Sequence, residues 1–130
     1  MPSIFSKIVA GEIPSFKVAE SKNFLAFLDI FPLAKGHTLV IPKKETDYIF
    51  DMDSEEYKDL WAFAQKVAKA QKKVIPCERI GVAVIGLEVP HAHIHLVPIK
   101  GVSDIDFSRP KLQFVKEEME KVASDIASLL

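Results

Sequence analysis

The feature that most constrains this chain is a short segment in which every second residue is a histidine. The three histidines are His91, His93 and His95. The residues between and after them are apolar: Ala92, Ile94 and Leu96. Side chains on a β-strand point alternately to opposite faces of the sheet, so the pattern predicts a strand with an imidazole face and an apolar face. We expect the apolar face to pack under a helix, and the imidazoles to stand on the opposite side, in a cleft or in solvent.

The rest of the chain predicts an α+β fold in the order helix, three strands, helix, two strands, helix. The predicted helices cover residues 3–10, 53–74 and about 112–129. The predicted strands cover residues 16–20, 24–30, 37–42, 79–89 and 91–99. Ser3 and Asp53 are suited to cap the first two helices, and Asp53 with Glu56 forms a capping box. Because strands and helices are grouped rather than alternating, we expect a mainly antiparallel five-stranded sheet with the long helix on one face.

Composition narrows the class of protein. The 130 residues contain neither a repeat nor a Gly/Ser linker, which predicts a single domain over 1–130. With 17 Lys and Arg against 18 Asp and Glu, the net charge of −1 favours neither nucleic acid nor an anionic membrane as a partner. No apolar run approaches the ~20 residues that span a bilayer. The single cysteine, Cys77, cannot form an internal disulfide, so we expect a cytoplasmic protein.

The residues themselves leave three interpretations of the histidine segment open. The first is a set of surface histidines on an edge strand. The second is metal binding, with a His-x-His pair completed by a carboxylate from Glu88 or Asp29. The third is nucleophilic catalysis on phosphorus, because a neutral imidazole with a pKa of ~6.5 is a good nucleophile near pH 7. Neighbouring rings disfavour one another's protonation, so one ring stays neutral while another donates a proton or stabilises charge.

The segment HAHIHLV resembles the signature of the histidine triad family, in which histidines alternate with apolar residues. Three further segments are similar to that family in the same order: IFSKIVAGEIP at 4–14, FLAFLDIFP at 24–32 and KGHTLVIPKK at 35–44. The resemblance covers residues 4 to about 98. It implies an α+β homodimer whose sheet continues across the subunits, and which binds a purine nucleotide and attacks its α-phosphate. The branch most similar to this chain hydrolyses nucleoside phosphoramidates such as adenosine 5′-monophosphoramidate.

The resemblance also implies roles for four histidines. His93 is the nucleophile that forms a nucleotidyl-histidine intermediate, and His95 contacts the phosphate and assists the leaving group. His91 orients the nucleophilic ring, and His37 is a fourth histidine on a neighbouring strand. No metal or other cofactor is expected, because the histidines supply both the nucleophile and the positive charge.

The nucleotide itself is expected to lie against a second set of residues. Asp29 is expected to accept hydrogen bonds from the ribose hydroxyls. The base pocket is expected to be walled by Ile4, Phe5, Ile8, Phe27, Ile30 and Leu39. Backbone N–H groups that bind the phosphate are expected in the loop before the triad, at Gly86, Leu87, Glu88 and Val89.

Two regions depart from the family pattern. The loop at 83–90 is apolar and shorter than the Gly-rich loop of many relatives, and Glu88 places a negative charge there. A Lys/Glu-rich C-terminal helix replaces the aromatic tail of some relatives. Three alternatives therefore stay open: a regulatory nucleotide-binding module with little turnover, a dinucleoside polyphosphate hydrolase, and a metal-binding protein that uses the histidine cluster.

Overall fold

The computed structural model describes residues 2–130. Three helices are present: α1 (Ile4–Val9), α2 (Ser54–Val74) and α3 (Lys116–Ala127). Five strands are present: β1 (Lys17–Glu20), β2 (Phe24–Leu28), β3 (Thr38–Pro42), β4 (Arg79–Ala83) and β5 (Ile94–Ile99). Short 3-10 turns cover Ile49–Asp51 and Val102–Asp104. The element order is the predicted one.

The five strands form one sheet in the order β1-β2-β3-β5-β4, and every neighbouring pair is antiparallel. The predicted fold class is therefore confirmed. Strand β5 lies between β3 and β4, and its register pairs Leu39 with His95. This pairing places His37, which immediately precedes β3, beside a triad histidine that lies far along the chain.

The sheet is covered on both faces, and the two faces differ in what covers them. On one face, α2 and α3 bury the larger core, which includes Val40, Ala92, Ile94 and Leu96. The predicted apolar face of the histidine segment is thus confirmed. On the other face, α1 contributes to a smaller apolar cluster: Phe5, Ile8, Leu25, Phe27, Leu39 and Ile41. The histidines lie on this second face, next to α1.

Both predicted N-caps form. The Ser3 hydroxyl accepts a hydrogen bond from the Ser6 N–H at 3.0 Å. The Asp53 carboxylate accepts from the N–H groups of Glu55 and Glu56, at 3.2 and 3.4 Å. These bonds satisfy backbone donors that have no partner inside the helix, which is why the sequence located both helix starts within one residue.

The two strands around the triad are shorter than predicted. Strand β4 ends at Ala83 rather than at residue 89, and Gly86 then takes a left-handed conformation with φ of 72°. Strand β5 begins at Ile94 rather than at residue 91. The Ala92 N–H instead donates to the Thr46 carbonyl at 2.6 Å, so this backbone is bound to a loop and not to a neighbouring strand.

The C-terminal helix also begins later than predicted, at Lys116 rather than near residue 112. The Leu112 N–H donates to the Pro32 carbonyl at 2.9 Å, which holds this segment extended against the loop after β2. Leu112 and Val115 are exposed and do not extend the apolar stripe of α3. Over residues 2–130, none of the helices has both the length and the apolar character that crossing a membrane requires.

Candidate active site

Four histidine rings converge on the α1 face of the sheet. The ring centroids of His37 and His95 are 5.2 Å apart, and those of His93 and His95 are 4.9 Å apart. Only His95 belongs to a regular strand, since His91 and His93 precede β5. The three triad side chains nevertheless lie on one side of the sheet, as the alternation predicts.

The hydrogen atom on each ring of the His37–His95 pair can be assigned from its partners. The Leu33 N–H donates to His37 Nδ1 at 3.0 Å, so this nitrogen carries no hydrogen. Burial, with a smaller contribution from Lys111, lowers the pKa of His37 to about 4. The neutral ring therefore carries its hydrogen on Nε2, which donates to His95 Nδ1 at 3.0 Å.

The same reasoning extends to His95. Burial, and then the neighbouring His37, lowers the pKa of His95 to about 3. Because Nδ1 accepts from His37, the neutral His95 ring carries its hydrogen on Nε2. His95 is therefore a neutral hydrogen-bond donor near pH 7, and it does not supply the positive charge that the sequence led us to expect from this set of histidines.

In contrast to His95, which is a donor through Nε2, His93 has an Nε2 that can act as an acceptor. Its Nδ1 lies 2.8 Å from the His91 carbonyl oxygen, which can only accept, so Nδ1 carries the hydrogen. Burial lowers the pKa of His93, while its bond to His91 acts in the opposite direction. A neutral His93 then has an unprotonated Nε2 whose lone pair is free. This atom is the nucleophile candidate of the site.

His91 links the triad to the first helix. Its Nε2 donates to the Pro42 carbonyl at 2.7 Å, so its Nδ1 is an acceptor in the neutral ring. The Ser3 hydroxyl lies 2.8 Å from that Nδ1. His91 is fully buried, and both of its ring nitrogens are occupied, so it is placed to orient other groups rather than to meet a substrate.

The rings are more enclosed than the expected cleft or solvent-exposed face. His91, His93 and His95 are 0%, 7% and 8% exposed. Phe5 of α1 lies edge-on to His93 with a centroid distance of 4.9 Å, and Phe107 lies edge-on to His95 at 4.6 Å. Two aromatic side chains from distant segments therefore flank His93 and His95.

Asp29 lies beside the histidines, at the end of β2. Its Oδ1 accepts from the Phe31 N–H at 2.9 Å, and its Oδ2 lies 3.7 Å from His37 Nε2. Burial raises the pKa of this carboxyl group. Asp29, His37 and His95 each offer one ligand atom, and these atoms lie within 4.8 Å of one another. The set is therefore also the place where a metal ion would fit best among the described residues.

The expected base-pocket residues divide into two groups. Phe5, Ile8, Phe27 and Leu39 lie together in the apolar cluster on the α1 face. Ile4 and Ile30 lie outside that cluster, 50% and 57% exposed.

The expected phosphate loop contains both packed and exposed residues. Val89 packs against the apolar cluster, whereas Leu87 is almost fully exposed. Gly86 has the positive φ that allows the chain to turn here. Glu88 is exposed, and its carboxylate tends to raise the pKa of His93.

Sequence reasoning missed several residues of this site. Glu45, Ser6 and Phe107 were not identified, and Ser3 was interpreted only as a helix cap. Phe107 carried a weak signal, because it is the one aromatic residue in the loop at 100–110. Glu45 carried none, since its role depends on a contact with α1, 42 residues earlier along the chain.

Comparison with known proteins gives a consistent result. Residues 10–102 match the model of the HIT domain family. Protein hit of Bacillus subtilis is 35% identical over 98% of this chain and 93% of its own. The adenosine 5′-monophosphoramidase hnt1 of Schizosaccharomyces pombe is 34% identical over 98% of each chain. A Hit-like protein of Bartonella henselae involved in cell-cycle regulation, crystallised with an unknown ligand, has a TM-score of 0.85 and 35% identity over 98% of this chain and 96% of that one.

Proposed function

This chain belongs to the HIT family, and from that premise we propose that it is a nucleotide hydrolase that acts at the α-phosphate of purine nucleoside phosphoramidates. The observation that carries the proposal is the free Nε2 of His93. The ring that carries this atom lies in one buried cluster with His95, whose Nε2 carries a hydrogen, at a centroid distance of 4.9 Å. The similarity to an adenosine 5′-monophosphoramidase supports the choice of substrate class.

The reaction proceeds in two displacements at phosphorus. His93 Nε2 attacks the α-phosphorus and the P–N bond of the substrate breaks; the leaving nitrogen takes a proton from solvent and departs as an amine. The product of this step is a nucleotidyl-histidine. Water then attacks the same phosphorus and releases a proton to solvent, the bond to His93 breaks, and the nucleoside monophosphate leaves.

The other groups bind and orient the substrate. The Nε2–H of His95 donates to a phosphate oxygen, where negative charge develops. The His91 carbonyl holds the His93 ring through Nδ1, so that Nε2 faces the phosphorus. Backbone N–H groups of residues 86–89 offer further donors, since they do not depend on side-chain identity.

The nucleoside occupies the α1 face. Asp29 accepts hydrogen bonds from the ribose hydroxyls, and the base lies against Phe5, Ile8, Phe27 and Leu39. Ile4 and Ile30 form the exposed rim of this pocket. An apolar wall with one carboxylate at its edge suits a purine nucleoside, whose flat base is largely apolar on its faces.

The direct test is turnover of adenosine 5′-monophosphoramidate by wild type and by His93→Ala. Loss of the nucleophile should lower kcat by about a thousandfold or more, because the covalent route is removed. Rapid quenching of the wild type should give a protein whose mass has increased by one nucleotidyl group, which is a nucleoside monophosphate less one water. Ser124→Ala, on the exposed side of α3, is the control and should keep full activity.

The result also separates the alternatives. Nucleotide binding without turnover in the wild type would overturn the enzyme and favour a regulatory module. Faster turnover of a dinucleoside polyphosphate would reassign the leaving group while keeping His93 as nucleophile.

A metal-binding role is the second candidate, favoured by the spacing of Asp29, His37 and His95. Metal analysis of the purified protein, before and after chelation, tests it. Stoichiometric metal that is lost in His37→Ala, in a wild type that turns over no nucleotide, would replace the hydrolase.

A further inference from the structure

A hydrogen-bonded network at the start of α1 connects the surface of the protein to the triad. We call it the Ser3–Glu45 network; its members are Ser3, Ser6, Glu45 and His91. Glu45 Oε1 accepts from the Ser3 N–H at 2.6 Å and from the Ser6 hydroxyl at 2.7 Å. The Ser3 hydroxyl lies 2.8 Å from His91 Nδ1. The network thus joins three segments that are distant in sequence.

The direction of each hydrogen bond follows from the available donors. The backbone N–H of Ser3, more than any other group, holds the pKa of Glu45 down to about 2, so its carboxylate only accepts. The Ser6 hydroxyl donates its hydrogen to that carboxylate. The Ser3 hydroxyl oxygen accepts a hydrogen bond from the Ser6 N–H at 3.0 Å. Its hydrogen is therefore available for donation to His91 Nδ1.

This arrangement leaves His91 one neutral form. A ring that accepts at Nδ1 carries its hydrogen on Nε2, which matches the donation to the Pro42 carbonyl at 2.7 Å. The ring is then bound at both ends, and its backbone carbonyl receives the Nδ1–H of His93 at 2.8 Å. The orientation of the nucleophile therefore depends on groups that never touch the substrate.

We propose that Ser3 and Glu45 are positioning residues, which lock His91 in its Nε2–H form and thereby hold the His93 ring with Nε2 directed to the phosphorus. The same network anchors the start of α1, whose Phe5 lies against the His93 ring at 4.9 Å. This inference rests on the proposed function for its kinetic consequences. Its structural part concerns the free protein alone.

Two measurements on Ser3→Ala, Glu45→Ala and Glu45→Gln test the proposal. Long-range ¹H–¹⁵N NMR spectra of the free protein report which ring nitrogen of His91 and His93 carries hydrogen. In Ser3→Ala, we expect the His91 Nδ1 signal to move towards that of a nitrogen without a hydrogen-bond donor. Because one hydrogen bond is lost, kcat should fall about tenfold, with KM changing less than about twofold.

The Glu45 variants provide the graded comparison. Glu45→Ala removes the acceptor and should also lower kcat about tenfold, whereas Glu45→Gln keeps an acceptor oxygen and should recover most of the activity. Glu45 is exposed, so its variants are expected to fold; Ser124→Ala serves again as the serine control. Loss of the helix cap alone would lower thermal stability in Ser3→Ala without changing kcat below the melting temperature.

Two outcomes overturn the proposal: an unchanged His91 ring spectrum in Ser3→Ala, or an unchanged kcat in folded Ser3→Ala and Glu45→Ala. Failure of the proposed function is distinguishable, because it would appear as absence of turnover in the wild type. In that case, the NMR spectra alone decide whether the Ser3–Glu45 network sets the state of the histidine rings.

Discussion

Individual histidines in this site differ because backbone groups, more than charges, set their hydrogen-bonding roles. The Leu33 N–H makes His37 a donor through Nε2, and the His91 carbonyl makes His93 an acceptor through Nε2. Four identical side chains thereby take different roles: His37 and His95 are donors through Nε2, His93 has an unprotonated Nε2, and His91 is bound at both ring nitrogens. The sequence reveals four histidines, but not these roles, because each depends on a hydrogen-bond partner that only the folded chain brings into place.

Stability should depend on pH through His37 and His95. Burial lowers their pKa values to about 4 and about 3, against ~6.5 in the unfolded chain. Between these values the unfolded state binds protons that the folded state does not, so stability is full above pH 6.5 and falls as the pH decreases. We expect each histidine to cost up to about 1.4 kcal/mol per pH unit between pH 6 and pH 5.

Urea unfolding at pH 7, 6 and 5 measures this dependence. His95→Gln is the matched variant, because it removes one of the histidines whose pKa is lower in the folded state than in the unfolded state. Its free energy of unfolding should decline less steeply with falling pH than that of the wild type. Equal slopes for the two proteins would show that His95 is not held neutral by burial.

At the scale of elements, local signals located the starts of α1 and α2 and failed at the start of α3 and at the ends of the strands near the site. Ser3 and Asp53 cap α1 and α2 through bonds within one helical turn, which is information that a short sequence window contains. The start of β5 depends instead on the Ala92 N–H, which donates to Thr46, 46 residues away in sequence. Alternation of residue types still predicted the correct face for each side chain, because the segment stays extended.

Helix α2 supports the site through one buried amide. Gln71 donates from Nε2 to the Gly36 carbonyl at 2.7 Å and to the Leu96 carbonyl at 2.9 Å. These carbonyls flank His37 and His95. We expect Gln71→Leu to lower the free energy of unfolding by about 1–3 kcal/mol, because two buried carbonyls lose a shared donor.

Denaturant unfolding checks the role of Gln71, with Gln65→Leu as the control, since Gln65 is exposed on the same helix. The control should change stability by about 0.5 kcal/mol or less. A similar loss in both variants would contradict the role of the Gln71 hydrogen bonds.

At the scale of the whole molecule, the site exists only because the sheet brings distant segments together. His37 and His95 are 58 residues apart in sequence, and adjacent pairing of β3 with β5 places their rings in hydrogen-bond contact. Fold class and the set of histidines were predictable from residue pattern and family resemblance. The contacts of Phe5 and Phe107 with the histidine rings were not predictable, because they depend on how α1 and the loop before α3 pack against the sheet.

The sheet also has an edge that is suited to a second copy of the chain. Strand β4 pairs only with β5, so one side of its backbone has no strand partner in the described chain. Val82 on this strand is 49% exposed, and Ile85 just beyond it is 48% exposed. An unprotected edge with apolar side chains favours association through β-pairing. We therefore expect a homodimer in which the two sheets are continuous across β4.

Light scattering coupled to size-exclusion chromatography tests the homodimer. The wild type should elute with twice the chain mass. Val82→Lys should shift it to a monomer, because a charge at the edge opposes pairing with an identical edge. Val115→Lys is the matched control, because Val115 is also exposed but lies before α3, and it should leave the dimer intact. A monomeric wild type would contradict the homodimer. A Val82→Lys variant that remains dimeric would show that the dimer contact lies elsewhere than at the edge of β4.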